Sequence, residues 1–103
     1  ANFLCSGPHV KLCDFGLAMR MSGARRPQGV CGTTPFMAPE VLSNEPFDTK
    51  ADMWSLGVSV YALCFGRYPY EAKQSISAMK ASFSEIASAP TFRPEDGEEI
   101  SRQ

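Results

Sequence analysis

Two short apolar stretches open the chain, Phe3-Leu4-Cys5 and Val10-Lys11-Leu12-Cys13, with Ser6-Gly7-Pro8-His9 between them. Gly-Pro marks a turn, so the pattern predicts two antiparallel strands and a tight connection. A turn centred near Pro8 pairs Cys5 with Lys11, Phe3 with Cys13 and Asn2 with Asp14. Directly opposed residues share a face, with Cβ atoms roughly 5 Å apart. An amide oxygen and a carboxylate then meet at the open end of the hairpin. A slip of one residue removes the direct opposition and leaves both groups at that end.

From Gly16 to Gly32 the residues are small, polar or basic, with Arg25-Arg26-Pro27-Gln28-Gly29 at the centre, which reads as a loop. Long loops in compact domains are functional or disordered. Pro39 suits the first turn of a short helix through Glu40, Val41 and Leu42, and Asn44-Glu45-Pro46-Phe47 breaks it. The main helix follows. Asp48 or Thr49 caps it, and Asp52 sits in its first turn, where a carboxylate suits the positive end of the macrodipole. From Met53 to Phe65 only Ser55 and Ser59 are clearly polar, and Gly66 with Pro69 supplies the stop. A helix apolar on all sides must be surrounded by protein, so a buried central helix is expected. A second, amphipathic helix is predicted from about Glu71 to Lys80, then an irregular stretch over Ala81–Gly97. The last residues, from Glu98 to Gln103, read as a helix beginning, and the chain as a whole reads as a fragment.

Composition narrows the function classes. With 103 residues the chain is at most one domain. Ten Lys+Arg against eleven Asp+Glu leave a net charge of −1, with no global pull toward nucleic acid or an anionic membrane. No apolar run reaches the roughly 18–20 residues of a membrane span, and Ala1-Asn2-Phe3-Leu4-Cys5 carries no basic n-region ahead of an apolar stretch, so a signal peptide is not expected. The cysteines at 5, 13, 31 and 64 contain no C-x-x-C, and His9 cannot complete a usual zinc set. They read as reduced thiols in an intracellular setting, cytoplasmic or nuclear. Cys13 reads as a small buried hydrophobe rather than a reactive thiol.

Asp14-Phe15-Gly16 alone is a weak signal, since a given tripeptide occurs by chance in roughly one or two per hundred chains this long. Two further patterns follow it in order: Gly32-Thr33-Thr34-Pro35-Phe36-Met37-Ala38-Pro39-Glu40, then Asp52-Met53-Trp54-Ser55-Leu56-Gly57 at the opening of the apolar helix. Asp-Phe-Gly, Ala-Pro-Glu and Asp-x-Trp-Ser-x-Gly in this order resemble the C-terminal lobe of a eukaryotic-type protein kinase of the serine/threonine type. The match runs to about Tyr70. The implied fold is α+β, mainly α: a partial kinase lobe with a short β-hairpin, an activation segment and a buried central helix. Residues 1–16 would be the end of the catalytic loop, the hairpin and the metal-binding motif, 17–40 the activation segment, and 41–103 an incomplete set of large-lobe helices.

The resemblance also implies roles. Asn2 and Asp14 match the positions that hold the two magnesium ions beside ATP, and the chemistry agrees, since Mg²⁺ takes oxygen ligands from one or two carboxylates and from phosphates. Thr33 matches the threonine that bonds the catalytic aspartate and a nearby lysine; the plainer reading is a turn hydroxyl. Phe36 and Met37 match the wall that receives the residue after the phosphoacceptor, or they are simple core packing. Phe15 and Gly16 complete the motif around Asp14. Glu40 and Asp52 match architectural carboxylates, and Trp54 reads as a core anchor. Arg25-Arg26 reads as a solvated loop pair, with phosphate docking as the other use of paired arginines.

These likenesses imply a parent enzyme that transfers the ATP γ-phosphoryl group to Ser/Thr hydroxyls of protein substrates. A pseudokinase, a kinase-shaped scaffold, is the alternative. Leu63–Tyr70 and Asn2-Phe3-Leu4 resemble most the calcium/calmodulin-dependent kinase group. Two positions depart from common patterns. Gly29 stands where many kinases carry a phosphothreonine, and Ala62 stands where some basophilic kinases carry a glutamate. The family's His-Arg-Asp, glycine-rich loop and ATP-pairing lysine lie outside these residues, so the segment alone is expected to be inactive and poorly stable.

Overall fold

A computed structural model describes residues 2–85 as one antiparallel hairpin followed by three helices. The irregular stretch expected from 86 onward and the helix expected at the end lie outside the described residues.

The hairpin joins β1 (Phe3–Ser6) to β2 (His9–Leu12). Its register is Phe3↔Leu12, Leu4↔Lys11, Cys5↔Val10 and Ser6↔His9. This corrects the expected pairing by one residue. Gly7 and Pro8 alone form the turn, with Gly7 at φ +58°, and a positive φ at the first central residue is what a type II′ hairpin demands. The ladder extends one step further, where the Cys13 N–H donates to the Asn2 carbonyl at 2.8 Å. Asn2 therefore opposes Cys13, and Asp14 lies one residue beyond. Both strands are exposed along their length.

No helix or strand forms from 13 to 33, as the loop composition predicts. A 3₁₀ turn, Thr34–Phe36, then leads into α1 (Pro39–Leu42), which starts on its proline. The helix ends in a Schellman motif. Asn44 takes φ +55°, its N–H donates to the Val41 carbonyl, and the Glu45 N–H donates to the Glu40 carbonyl at 2.9 Å.

The main helix, α2, spans Lys50–Phe65. Thr49 is already helical and makes no side-chain cap; the Asp48 carboxylate accepts the Lys50 N–H at 2.8 Å and does the capping. Gly66 closes the helix in the left-handed region, donating to the Ala62 carbonyl. The third helix, α3, spans Ile76–Glu85, five residues later than predicted at both ends. Ser75 explains the late start, since its hydroxyl accepts the Ala78 N–H at 3.2 Å in N-cap fashion. Residues 81–85, expected to be irregular, are its last turns.

The core gathers Met37, Ala38, Val41, Leu42, Ala51 and Met79, with Phe47, Tyr70 and Phe83 packed against it. Met79 is fully buried, a burial worth about 1.5–3 kcal/mol. The expectation of a buried central helix is corrected here. On α2 only Ala51 and Val58 are buried, while Leu63 is 82% exposed and Met53 64%. The apolar ring is present in the sequence, but among the described residues its covering side chains are missing on most faces. The hairpin likewise leaves Leu4, Val10 and Leu12 exposed.

So small a core against so much bare apolar surface sets an expectation. Total stabilities of only about 5–15 kcal/mol leave little room for such a deficit. Calorimetry of the purified 103-residue monomer should give a broad transition without two-state character. A sharp cooperative peak would contradict this.

Candidate functional site

The chemistry-bearing residues form two groups. The first sits at the open end of the hairpin. Asp14 is exposed and adopts φ +66°, uncommon for a residue with a side chain, though aspartate tolerates it better than most. The conformation ends the strand alternation and is held locally: the Gly16 N–H donates to Asp14 Oδ1 at 3.3 Å. A Cβ at residue 16 would lie 3.3 Å from the same oxygen, so glycine leaves the carboxylate its room. Asn2, tied through its carbonyl to Cys13, stands at the same end. Phe15 is exposed, and Cys13 is only partly covered.

The second group is the turn Thr34–Phe36 and its supports. Thr33 is exposed; its carbonyl accepts the Phe36 N–H at 3.0 Å, and its hydroxyl makes no cap. Thr34 does the side-chain work, its hydroxyl facing the Lys73 carbonyl at 3.0 Å and the Gln74 carbonyl at 3.2 Å. Tyr70 donates to the Pro35 carbonyl at 2.5 Å. Ser55, from α2, donates to the Phe36 carbonyl at 2.7 Å. Phe36 is half-buried and meets Tyr68 edge-on at 5.6 Å, while Met37 is buried in the core at 6% exposure. Among the described residues no hydrogen bond joins this group to the hairpin end.

An aromatic stack backs the turn. Trp54 lies against Tyr70 at 6.2 Å and 24°, and Phe83 packs edge-on against both rings. Trp54 thus anchors the α2–α3 junction, although it remains 37% exposed. Glu40 and Asp52 make no ion pair among the described residues; Asp52 is exposed in the first turn of α2.

The loop before the turn is tied down, which the sequence pattern did not reveal. Arg26, read as part of a solvated pair, reaches Asp48 at 3.8 Å. The Phe47 N–H donates to the Pro27 carbonyl at 2.9 Å, and the Gln28 side-chain amide donates to the Asn44 carbonyl at 2.6 Å. Three consecutive loop residues therefore dock on the α1–α2 connection. The roles of Ser55, Thr34 and Tyr70 also escaped the sequence reading. A signal existed for Ser55, one of two hydroxyls on an otherwise apolar stretch.

Burial pushes the Tyr70 phenol above its ordinary 10.0; a hydrogen bond with Trp54 opposes this and Tyr68 adds slightly to it. A raised phenol pKa stabilises the fold fully below pH 10.0, and that contribution is lost as pH climbs through the folded-state value. In alkaline unfolding of the full-length protein, the stability difference between wild type and Tyr70→Phe should be constant to about pH 10 and shrink above it. A difference that shrinks between pH 6 and 9 would contradict this assignment.

Comparison with known proteins follows the same residues. The family model described as protein kinase domain matches residues 1–103. The human ribosomal protein S6 kinase-related protein is 45% identical over 74 residues, covering 72% of this chain and 18% of that protein. Serine/threonine-protein kinase ULK3 of Xenopus laevis is 40% identical over 79 residues, or 77% of this chain and 15% of that protein. Serine/threonine-protein kinase SAPK5 of Oryza sativa subsp. japonica is 38% identical over 89 residues, or 85% and 24%. The chain thus spans less than a quarter of the length of these relatives.

Proposed function

The chain belongs to the protein kinase family, and from that membership we propose that the protein carrying it transfers the γ-phosphoryl group of ATP to serine or threonine hydroxyls of protein substrates. In this reading residues 1–16 end the catalytic loop and carry the metal site, 17–40 are the activation segment, and 41–103 contribute large-lobe helices. The observation that supports it is the open end of the hairpin, where the Asn2 carbonyl accepts the Cys13 N–H and the exposed Asp14 follows next in the chain.

The donor set fits magnesium. One carboxylate and one neutral amide oxygen are hard oxygen ligands, and the rest of the octahedron is left to phosphate and water. Bound there, Mg²⁺ neutralises the phosphate charge that builds up during transfer. Asp14 supplies the negative charge, Asn2 adds an oxygen without like-charge repulsion, and the Gly16 amide fixes one carboxylate oxygen of Asp14. Thr33, by its match to the family pattern, bonds the aspartate that orients the acceptor hydroxyl. Phe36 forms the wall for the residue after the acceptor, and Met37 supports it from the core. Phe15 completes the motif around Asp14, and Glu40 and Asp52 are architectural carboxylates. The closer likeness to the calcium/calmodulin-dependent group rests on Leu63–Tyr70 and Asn2-Phe3-Leu4. The free thiols of Cys5, Cys31 and Cys64 suit an intracellular setting.

The full-length protein with Mg²⁺ and ATP should phosphorylate Ser/Thr peptides, and Asp14→Asn should lower kcat at least about a hundredfold. The 103-residue chain alone should neither hydrolyse ATP nor phosphorylate peptide. An active Asp14→Asn protein would refute the role of Asp14. A wild-type protein that binds nucleotide but transfers no phosphate would favour the scaffold.

A further inference from the structure

We propose that Tyr70 is a positioning residue whose hydroxyl, by holding the Pro35 carbonyl, sets the place of the Thr34–Phe36 turn and so the grip on the substrate residue after the acceptor. The inference deepens the kinase reading and rests on it for the identity of the substrate.

The turn has little to hold it from within. Its own backbone bonds run only from Phe36 to Thr33 and from Met37 to Thr34, at 3.0 and 3.2 Å. Pro35 has no N–H to contribute. What fixes the turn in space is a set of side-chain bonds to neighbouring segments. Ser55 holds the Phe36 carbonyl from α2, the Thr34 hydroxyl reaches the Lys73 and Gln74 carbonyls, and Tyr70 closes the middle at Pro35.

Tyr70 is the stiffest of these supports. Its ring is half-buried between Trp54 and Phe83, at 6.2 and 4.9 Å between centroids. A ring clamped on two sides delivers its hydroxyl with little rotamer freedom left to lose. Phenylalanine would keep the clamped ring and delete the oxygen, removing the bond to the Pro35 carbonyl together with the one to Trp54; exchange over residues 33–38 reads out the hold on the turn separately. The side chain is remote from the Asp14 group in bonding, and no hydrogen bond links the two among the described residues. Loss of the hydroxyl should therefore be felt at the peptide and not at the nucleotide.

The experiment compares full-length wild type with Tyr70→Phe. Peptide KM should rise about two- to tenfold, the effect of one neutral hydrogen bond, with kcat and the KM for ATP unchanged. The rise should vary across peptides that differ only in the residue after the acceptor. In parallel, hydrogen exchange should quicken over residues 33–38 and stay constant over the hairpin. An unchanged peptide KM with unchanged exchange overturns the proposal, as does an equal rise in both KM values. If wild type phosphorylates no peptide at all, the kinase reading has failed instead. Exchange over 33–38 then decides the Tyr70 hold by itself.

Discussion

The described structure depends on α2 acting as a post. The helix is apolar nearly all round, and the few groups on it that are buried or polar do the fastening. Ala51 enters the core, Ser55 bonds the Phe36 carbonyl, and Trp54 carries the aromatic stack with Tyr70 and Phe83. Remove the post, and the 3₁₀ turn loses its main support, while α1 and α3 still pack on each other. The hairpin is the exception, since its conformation is local and turns on Gly7, Pro8 and the Asn2–Cys13 bond.

This division of labour is what the proposed phosphoryl transfer would ask for, since positioning and charge neutralisation supply most of its rate. The left-handed Asp14, with its carboxylate bonded by the Gly16 N–H, is oriented by a local device. In the proposed function this turn would face a flexible peptide and must hold still. Here the turn is held by hydroxyls from several segments, and the preceding loop docks through Arg26, Pro27 and Gln28. The docked loop has glycine at residue 29, so its order comes from backbone and side-chain bonds without a phosphate at that position.

Much of this was legible in the residues, and what was not has physical reasons. The hairpin, α1 and α2 follow from Gly-Pro, Pro39 and Gly66, which act through local backbone preference. Register was missed by one because composition does not count turn residues, and a type II′ turn needs only Gly7 and Pro8. The start of α3 was misplaced because Ser75, an ordinary polar residue in a polar stretch, is the cap. Exposure of α2 could not be read from its pattern. An all-apolar helix states that it needs neighbours but not which segments supply them. The supports of the turn were invisible for a similar reason, since Tyr70 and Pro35 are 35 residues apart and meet only in the folded chain. Of the candidate site, the identity of Asp14 and Asn2 came from ordered motifs, while their arrangement needed coordinates.

The most direct measurement is a crystal structure of the full-length protein with Mg²⁺ and a non-hydrolysable ATP analogue. The expected result has an Asp14 carboxylate oxygen and the Asn2 amide oxygen each about 2.0–2.1 Å from magnesium that also contacts phosphate. Magnesium bound to the phosphates with neither side chain in its coordination shell would contradict the central claim.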